Sequence, residues 1–188
     1  GRIFVIGGFT GRYYSNSVIS LSSFLMDSWR GVKAMYENRS SHGVAVDDDK
    51  IFVIGGFNGR FIETCEVFSV KEGKWRQTVP PMTTGRSGMG VAVIGKRIFV
   101  IGGNSEDGLS NIVEVLDSIS MKWSTLPSMP TPRSGMAIAV IDDRFIWTFG
   151  GRNDRALDVI EIFDVEKSEW NSAPMKLYPP RERSKAVV

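Results

Sequence analysis

RSGMGVAVIGKRIFVIGG, from Arg86 to Gly103, is apolar, studded with glycine and closed by a glycine pair. Near copies are RSSHGVAVDDDKIFVIGG, from Arg39 to Gly56, and RSGMAIAVIDDRFIWTFGG, from Arg133 to Gly151. Glycine pairs recur at Gly7-Gly8, Gly55-Gly56, Gly102-Gly103 and Gly150-Gly151, with spacings of 48, 47 and 48. Tryptophans recur at Trp29, Trp75, Trp123 and Trp170, spaced by 46, 48 and 47. Arg-Ser pairs recur at Arg39-Ser40, Arg86-Ser87, Arg133-Ser134 and Arg183-Ser184, spaced by 47, 47 and 50. Three independent markers thus share one period of about 47 residues, which is the signature of a repeat architecture.

Each unit reads as about four short strands. GVAVI at 90–94 is rich in β-branched residues, a polar turn follows at Gly95-Lys96-Arg97, and IFVIGG returns. IVEVLD at 112–117 alternates with period two, and a polar segment leads to Lys122-Trp123. No segment keeps a helical period, and the prolines at 80–81, 127–132 and 179–180 punctuate the joins. One four-stranded sheet cannot bury both of its faces. Such sheets stacked face to face around an axis cover one another, so the sequence predicts an all-β propeller. The glycine pair then ends a strand where the chain turns sharply or meets another backbone. The tryptophan supplies an apolar plate between neighbouring sheets.

Composition narrows the function classes. Of 188 residues, 42 % are hydrophobic and 23 % charged, and the net charge is +2, too mild an excess to argue for nucleic acid. Cys65 is the only cysteine, so no disulfide forms within the chain, and a reducing, cytoplasmic location is expected. No apolar run approaches the roughly 20 residues of a membrane helix. The chain shows no signal-peptide pattern, and because Gly1 opens directly in a strand-like run it reads as a processed product or a piece of a longer protein.

Chemistry-bearing residues are few. His42 is the only histidine, at a position held by Met89 and Met136 in sister units, and reads as a packed side chain. One histidine and one cysteine exclude a His/Cys metal site by count. Neither GxSxG nor GxxxxGK[ST] occurs, so neither a nucleophile elbow nor a phosphate loop is indicated. Asp47-Asp48-Asp49 reads as a solvated hairpin turn, and Cys65 as buried packing. Glu66, Glu114 and Glu161 hold one strand position per unit, which argues for a repeated structural contact. No cofactor, no metal and no catalytic activity are expected.

MTTGRSGMGVAVIGKRIFVIGG at 82–103 and FNGRFIETCEVFSVKEGKW at 57–75 resemble the kelch repeat, most closely that of the BTB-kelch proteins. The resemblance spans the whole chain. It implies that each unit is one propeller blade, with repeats at about 1–38, 39–85, 86–132 and 133–182, and with 183–188 as first strand of a further or closing blade. Three departures stand out. Phe68, Leu116 and Phe163 replace the usual third-strand tyrosine, the first unit (17–29) lacks the acidic residue, and there are four repeats where the family usually has six. Two architectures follow: part of a larger propeller, or a small ring closed by the C-terminal strand.

The resemblance also implies a protein-interaction module whose partner binds the face made by two sets of loops. One set is 9–17, 57–64, 104–111 and 152–158, with Phe9, Phe57, Asn104 and Arg152 just after the glycine pairs and Arg12, Arg60 and Arg155 nearby. The other ends in Arg39-Ser40, Arg86-Ser87, Arg133-Ser134 and Arg183-Ser184. Fourfold repetition would set four guanidiniums around one mouth, suited to an acidic peptide. Such arginines can equally pair with acids of the blades, and the sequence leaves both readings open. The expected role is substrate recognition for a cullin-type ubiquitin ligase adaptor, whose BTB region is not within these residues. Actin binding is the alternative, and a kelch-fold enzyme is disfavoured by the single histidine.

Overall fold

The computed structural model describes residues 1–22 and 28–187. Part of the atypical first unit, 23–27, and Val188 at the end of the expected closing strand lie outside them. Among the described residues fifteen strands form four antiparallel sheets, each a meander. Blade 1 has three strands: β1 (Arg2–Phe9), β2 (Tyr14–Ser22) and β3 (Arg30–Val32). Blade 2 is β4 (Gly43–Asp47), β5 (Lys50–Ile54), β6 (Cys65–Ser69) and β7 (Lys74–Arg76). Blade 3 is β8 (Gly90–Ile94), β9 (Arg97–Ser105), β10 (Gly108–Asp117) and β11 (Lys122–Leu126). Blade 4 is β12 (Ala137–Ile141), β13 (Phe145–Phe149), β14 (Ile160–Asp164) and β15 (Glu169–Ser172). The first strands β4, β8 and β12 lie side by side.

The apolar run IFVI explains the stacking. Alternate side chains leave opposite faces of a strand, and both faces of each inner blade are covered. Ile51, Val53, Phe68 and Trp75 of blade 2 pack back on Phe4, Ile6 and Val18 of blade 1. Phe52, Ile54, Cys65 and Val67 pack forward on Ile98, Val100 and Leu116 of blade 3. Phe99, Ile101, Val113 and Val115 repeat that forward face against Ile146 and Phe163 of blade 4. The core is therefore a series of interblade layers. The indole Nε1 of Trp75, Trp123 and Trp170 donates to the carbonyls of Lys33, Pro80 and Pro127, at 2.7, 2.8 and 2.9 Å, each in the join leaving the preceding blade. The tryptophan is both plate and latch.

The glycine pair carries the second join. Gly55 has φ 60°, and a Cβ there would stand 2.7 Å from the Arg86 carbonyl oxygen. The amides of Gly8, Gly56, Gly103 and Gly151 donate to the carbonyls of Arg39, Arg86, Arg133 and Arg181, at 2.8 to 2.9 Å. Each blade is thus pinned by the arginine that opens the next.

This ladder corrects the fourth Arg-Ser marker. The residue equivalent to Arg39, Arg86 and Arg133 is Arg181, not Arg183. Arg183 instead matches Ser41, Gly88 and Gly135, which form a chain of bonds: Gly88 N to Ser41 O, Gly135 N to Gly88 O, Arg183 N to Gly135 O. All four have positive φ, from 49° to 64°. The fourth spacing of 50 was therefore a displacement by two residues, and Ser184 occupies the position of His42, Met89 and Met136.

Among the described residues no ladder joins 184–187 to β1. The four blades make an open arc. Ile3 and Val5 on the back of blade 1 are 51 % and 48 % exposed, whereas their counterparts Ile51 and Val53 are 4 % and 0 %.

Candidate protein-interaction face

The joins between blades meet the β1–β2, β5–β6, β9–β10 and β13–β14 loops at one end of the arc. There the three expected arginines have a different task. Arg39, Arg86 and Arg133 are 0 % exposed. Arg39 Nη1 donates to the carbonyls of Gly55 (2.7 Å) and Thr64 (3.0 Å), and Nη2 to Glu66 Oε1 (2.8 Å). Arg86 Nη1 bonds the carbonyls of Gly102 and Ile112, both at 2.9 Å, and its Nη2 pairs with Glu114. Arg133 Nη1 lies 2.9 Å from Glu161 Oε2. In each case the cation before a first strand meets the carboxylate on the third strand of the same sheet. The glutamates also hold the incoming join: Glu66 accepts from the amides of Tyr36 and Glu37, Glu114 from that of Thr83, and Glu161 from the Thr131 hydroxyl.

A buried ion pair needs such further bonds to offset desolvation. Burial pulls the Arg86 and Arg133 guanidiniums below the ordinary arginine pKa, against the opposing pull of Glu114 and Glu161. The expected ring of four available guanidiniums is therefore corrected: three are struts inside the blades, consumed by the glutamates that the sequence marks at a fixed strand position. Arg181, the fourth equivalent, is exposed and donates to the carbonyls of Tyr178 and Pro179. Blade 1 has no carboxylate in the corresponding place, because Ile19 opposes Val5 where Glu66 opposes Val53.

Of the other expected residues, Phe9, Ser40, Phe57, Ser87, Asn104, Ser134 and Arg183 line one concavity, whereas Ser184 lies with His42, Met89 and Met136. Ser40, Ser87 and Ser134 form reciprocal backbone bridges with Phe57, Asn104 and Arg152, with bonds of 2.8 to 3.0 Å. The two loop sets thus meet in pairs. They border a concave mouth of about 620 Å³, lined by Phe9, Tyr14, Phe57 and Phe61 from blades 1 and 2, by Ser87 and Ser134 from blades 3 and 4, and by Arg183. Arg60 is exposed but bound to Glu37 at 3.0 Å. Arg152 lies 3.3 Å from Glu182. Arg12, Arg155 and Arg183 are exposed and, among the described residues, without an ion-pair partner. The aromatic wall was half legible: Phe9 and Phe57 follow glycine pairs, and Phe61 is spaced four residues from Phe57. Tyr14 has no sequence signal, because the first loop is atypical.

A family model described as the KLHDC2/KLHL20/DRC7 Kelch-repeats domain matches residues 1–188. The chain belongs to the kelch-repeat family. No curated protein matches it. Kelch-repeat membership makes the chain a protein-interaction module, and its blades are the four sheets described above.

Two further side chains of the kelch blades were candidates for chemistry. His42 lies among the first strands with Met89 and Met136. Burial, and then the nearby Arg39 charge, lowers its pKa to about 4, so it is neutral near pH 7. Cys65 is buried in the layer between blades 2 and 3, where burial pushes its thiol up to about 12, so it carries negligible thiolate. Among the described residues no group of three His, Cys, Asp or Glu side chains is placed to hold a metal ion.

Proposed function

We propose that this kelch chain is the substrate-recognition part of a cullin-type ubiquitin ligase adaptor and binds its protein partner in the mouth. The observation that supports this reading is the mouth itself: a cavity of about 620 Å³ with aromatic rings, serine hydroxyls and an arginine on one rim. Apolar surface with a few placed polar groups is what a peptide-binding site requires. Kelch membership supplies the interaction role, and the BTB-kelch resemblance supplies the ligase role. The lone buried cysteine fits a reducing compartment such as the cytoplasm.

The test is capture from cell extract by the chain and by a Ser87→Glu, Ser134→Glu variant shown to melt at the wild-type temperature. The expected result is loss of the captured proteins with the variant, and accumulation of those proteins in cells when cullin activation is inhibited. Equal capture by both chains would overturn the assigned face. Partner levels indifferent to cullin inhibition would overturn the ligase role. Co-sedimentation with actin filaments at micromolar concentration would replace it with the cytoskeletal one.

A further inference from the structure

The rim is built from equivalent backbone positions that carry opposite chemistries. The residue after the glycine pair is Phe9 in blade 1, Phe57 in blade 2, Asn104 in blade 3 and Arg152 in blade 4. Phe57 forms a backbone bridge with Phe61, and the counterpart bridge in blade 4 joins Arg152 to Ala156. Blades 1 and 2 therefore place four rings in contact across their boundary. Phe9 meets Tyr14 at 5.1 Å between centroids, Tyr14 meets Phe57 at 5.7 Å, and Phe57 meets Phe61 at 5.1 Å. Phe9 at the end of this run is 56 % exposed. The nearby cation, Arg60, is neutralised by Glu37. At the opposite end Arg183 lines the mouth with its backbone fixed by the 2.7 Å bond to Gly135, and no carboxylate pairs with it among the described residues.

We infer that the mouth takes an extended peptide of bipartite chemistry, with a large apolar side chain against the Phe9–Tyr14–Phe57–Phe61 wall and a carboxylate at Arg183. This rests on the mouth being the partner-binding face. A uniformly acidic segment fits less well, because aromatic rings line the blade 1 and blade 2 side of the mouth and, among the described residues, Arg183 is the one arginine in its lining, Arg12 and Arg155 lying outside it. Aromatic surface of this kind anchors apolar side chains, the Arg183 fork suits a carboxylate, and Ser87 and Ser134 of blades 3 and 4 also line the mouth, a residue type that can bond peptide backbone.

The test is a displayed library of random peptides of about twelve residues, roughly 40 Å when fully extended. It is panned against the 188-residue chain. Enriched peptides are expected to share one large apolar and one acidic residue at a fixed separation. Phe9→Ala and Phe9→Glu should each weaken them by about tenfold or more, the scale of a buried anchor. Arg183→Glu should abolish the acidic preference and leave the apolar one. Both positions are exposed, and unchanged melting temperatures would show that the variants fold. Enriched peptides that are merely acidic and bind the Phe9 variants normally would overturn the bipartite inference while leaving the mouth as the site. Binders indifferent to Phe9, Arg183 and the Ser87→Glu, Ser134→Glu variant would overturn the mouth as well. A library that yields no enriched peptide would also overturn the inference.

Discussion

Glu114 shows how one side chain can hold a repeat together. It neutralises a fully buried guanidinium and accepts the Thr83 amide of the incoming join. Glu114→Ala should cost about 3–5 kcal/mol, because Arg86 would be left buried and uncompensated. A double replacement, Arg86→Met with Glu114→Leu, should cost less than the two single changes added together. Urea midpoints for the four proteins check this. Arg183→Ala should stay within about 0.5 kcal/mol, since its side chain supports no such network. His42 gives the second test at this scale. Its pKa of about 4 in the folded chain is below its ordinary value, 6.5. The unfolded chain therefore takes up a proton that the folded chain refuses. This group's contribution to stability falls as pH drops from about 6.5 to about 4 and is level outside that window, a loss of up to about 3 kcal/mol. His42→Met, which copies the sister repeats, should flatten that part of the profile when urea midpoints at pH 7.5 and 4.5 are compared.

At the scale of elements, the blades are stable only through their neighbours. Phe99 is wholly buried in the layer between blades 3 and 4, and Phe99→Ala should cost about 3–5 kcal/mol, read as a lowered melting temperature. Trp123→Phe keeps most of the plate but loses the 2.8 Å bond to the Pro80 carbonyl, and should cost about 1 kcal/mol in the same measurement. Gly55→Ala should be worse than its size suggests. It forces a Cβ to 2.7 Å from the Arg86 carbonyl oxygen at a positive φ, so backbone that joins two blades must move. The strands and their order were legible in the sequence, because period-two patterning and recurrent glycine pairs report local conformation. The Arg-Glu strut was legible only as two unconnected series. Nothing local says that a residue before the first strand and one on the third strand converge, since that contact spans 27 or 28 residues and forms only once the sheet is made.

For the whole molecule, the open arc leaves the back of blade 1 uncovered. Ile3 and Val5 hold positions that are buried in blade 2 yet are about half exposed here. The isolated chain should therefore associate as concentration rises, and Ile3→Thr with Val5→Thr should suppress association without lowering the melting temperature. Sedimentation velocity across a concentration series checks this. The sequence by itself determined the repeat, its period, the antiparallel strands and the end of each blade where the loops gather. These are consequences of spacing and of hydrophobic alternation, both of which are local. Tertiary structure alone decided which of the recurrent polar residues face a partner. It buried Arg39, Arg86 and Arg133 on glutamates brought from distant strands, moved the fourth equivalent from Arg183 to Arg181, and left Phe9 and Arg183 on the rim. The physical reason is that exposure is a property of the assembled surface: Arg39, Arg86 and Arg133 are held inside by a carboxylate on the third strand of their own sheet, and Arg183, without one, stays in water.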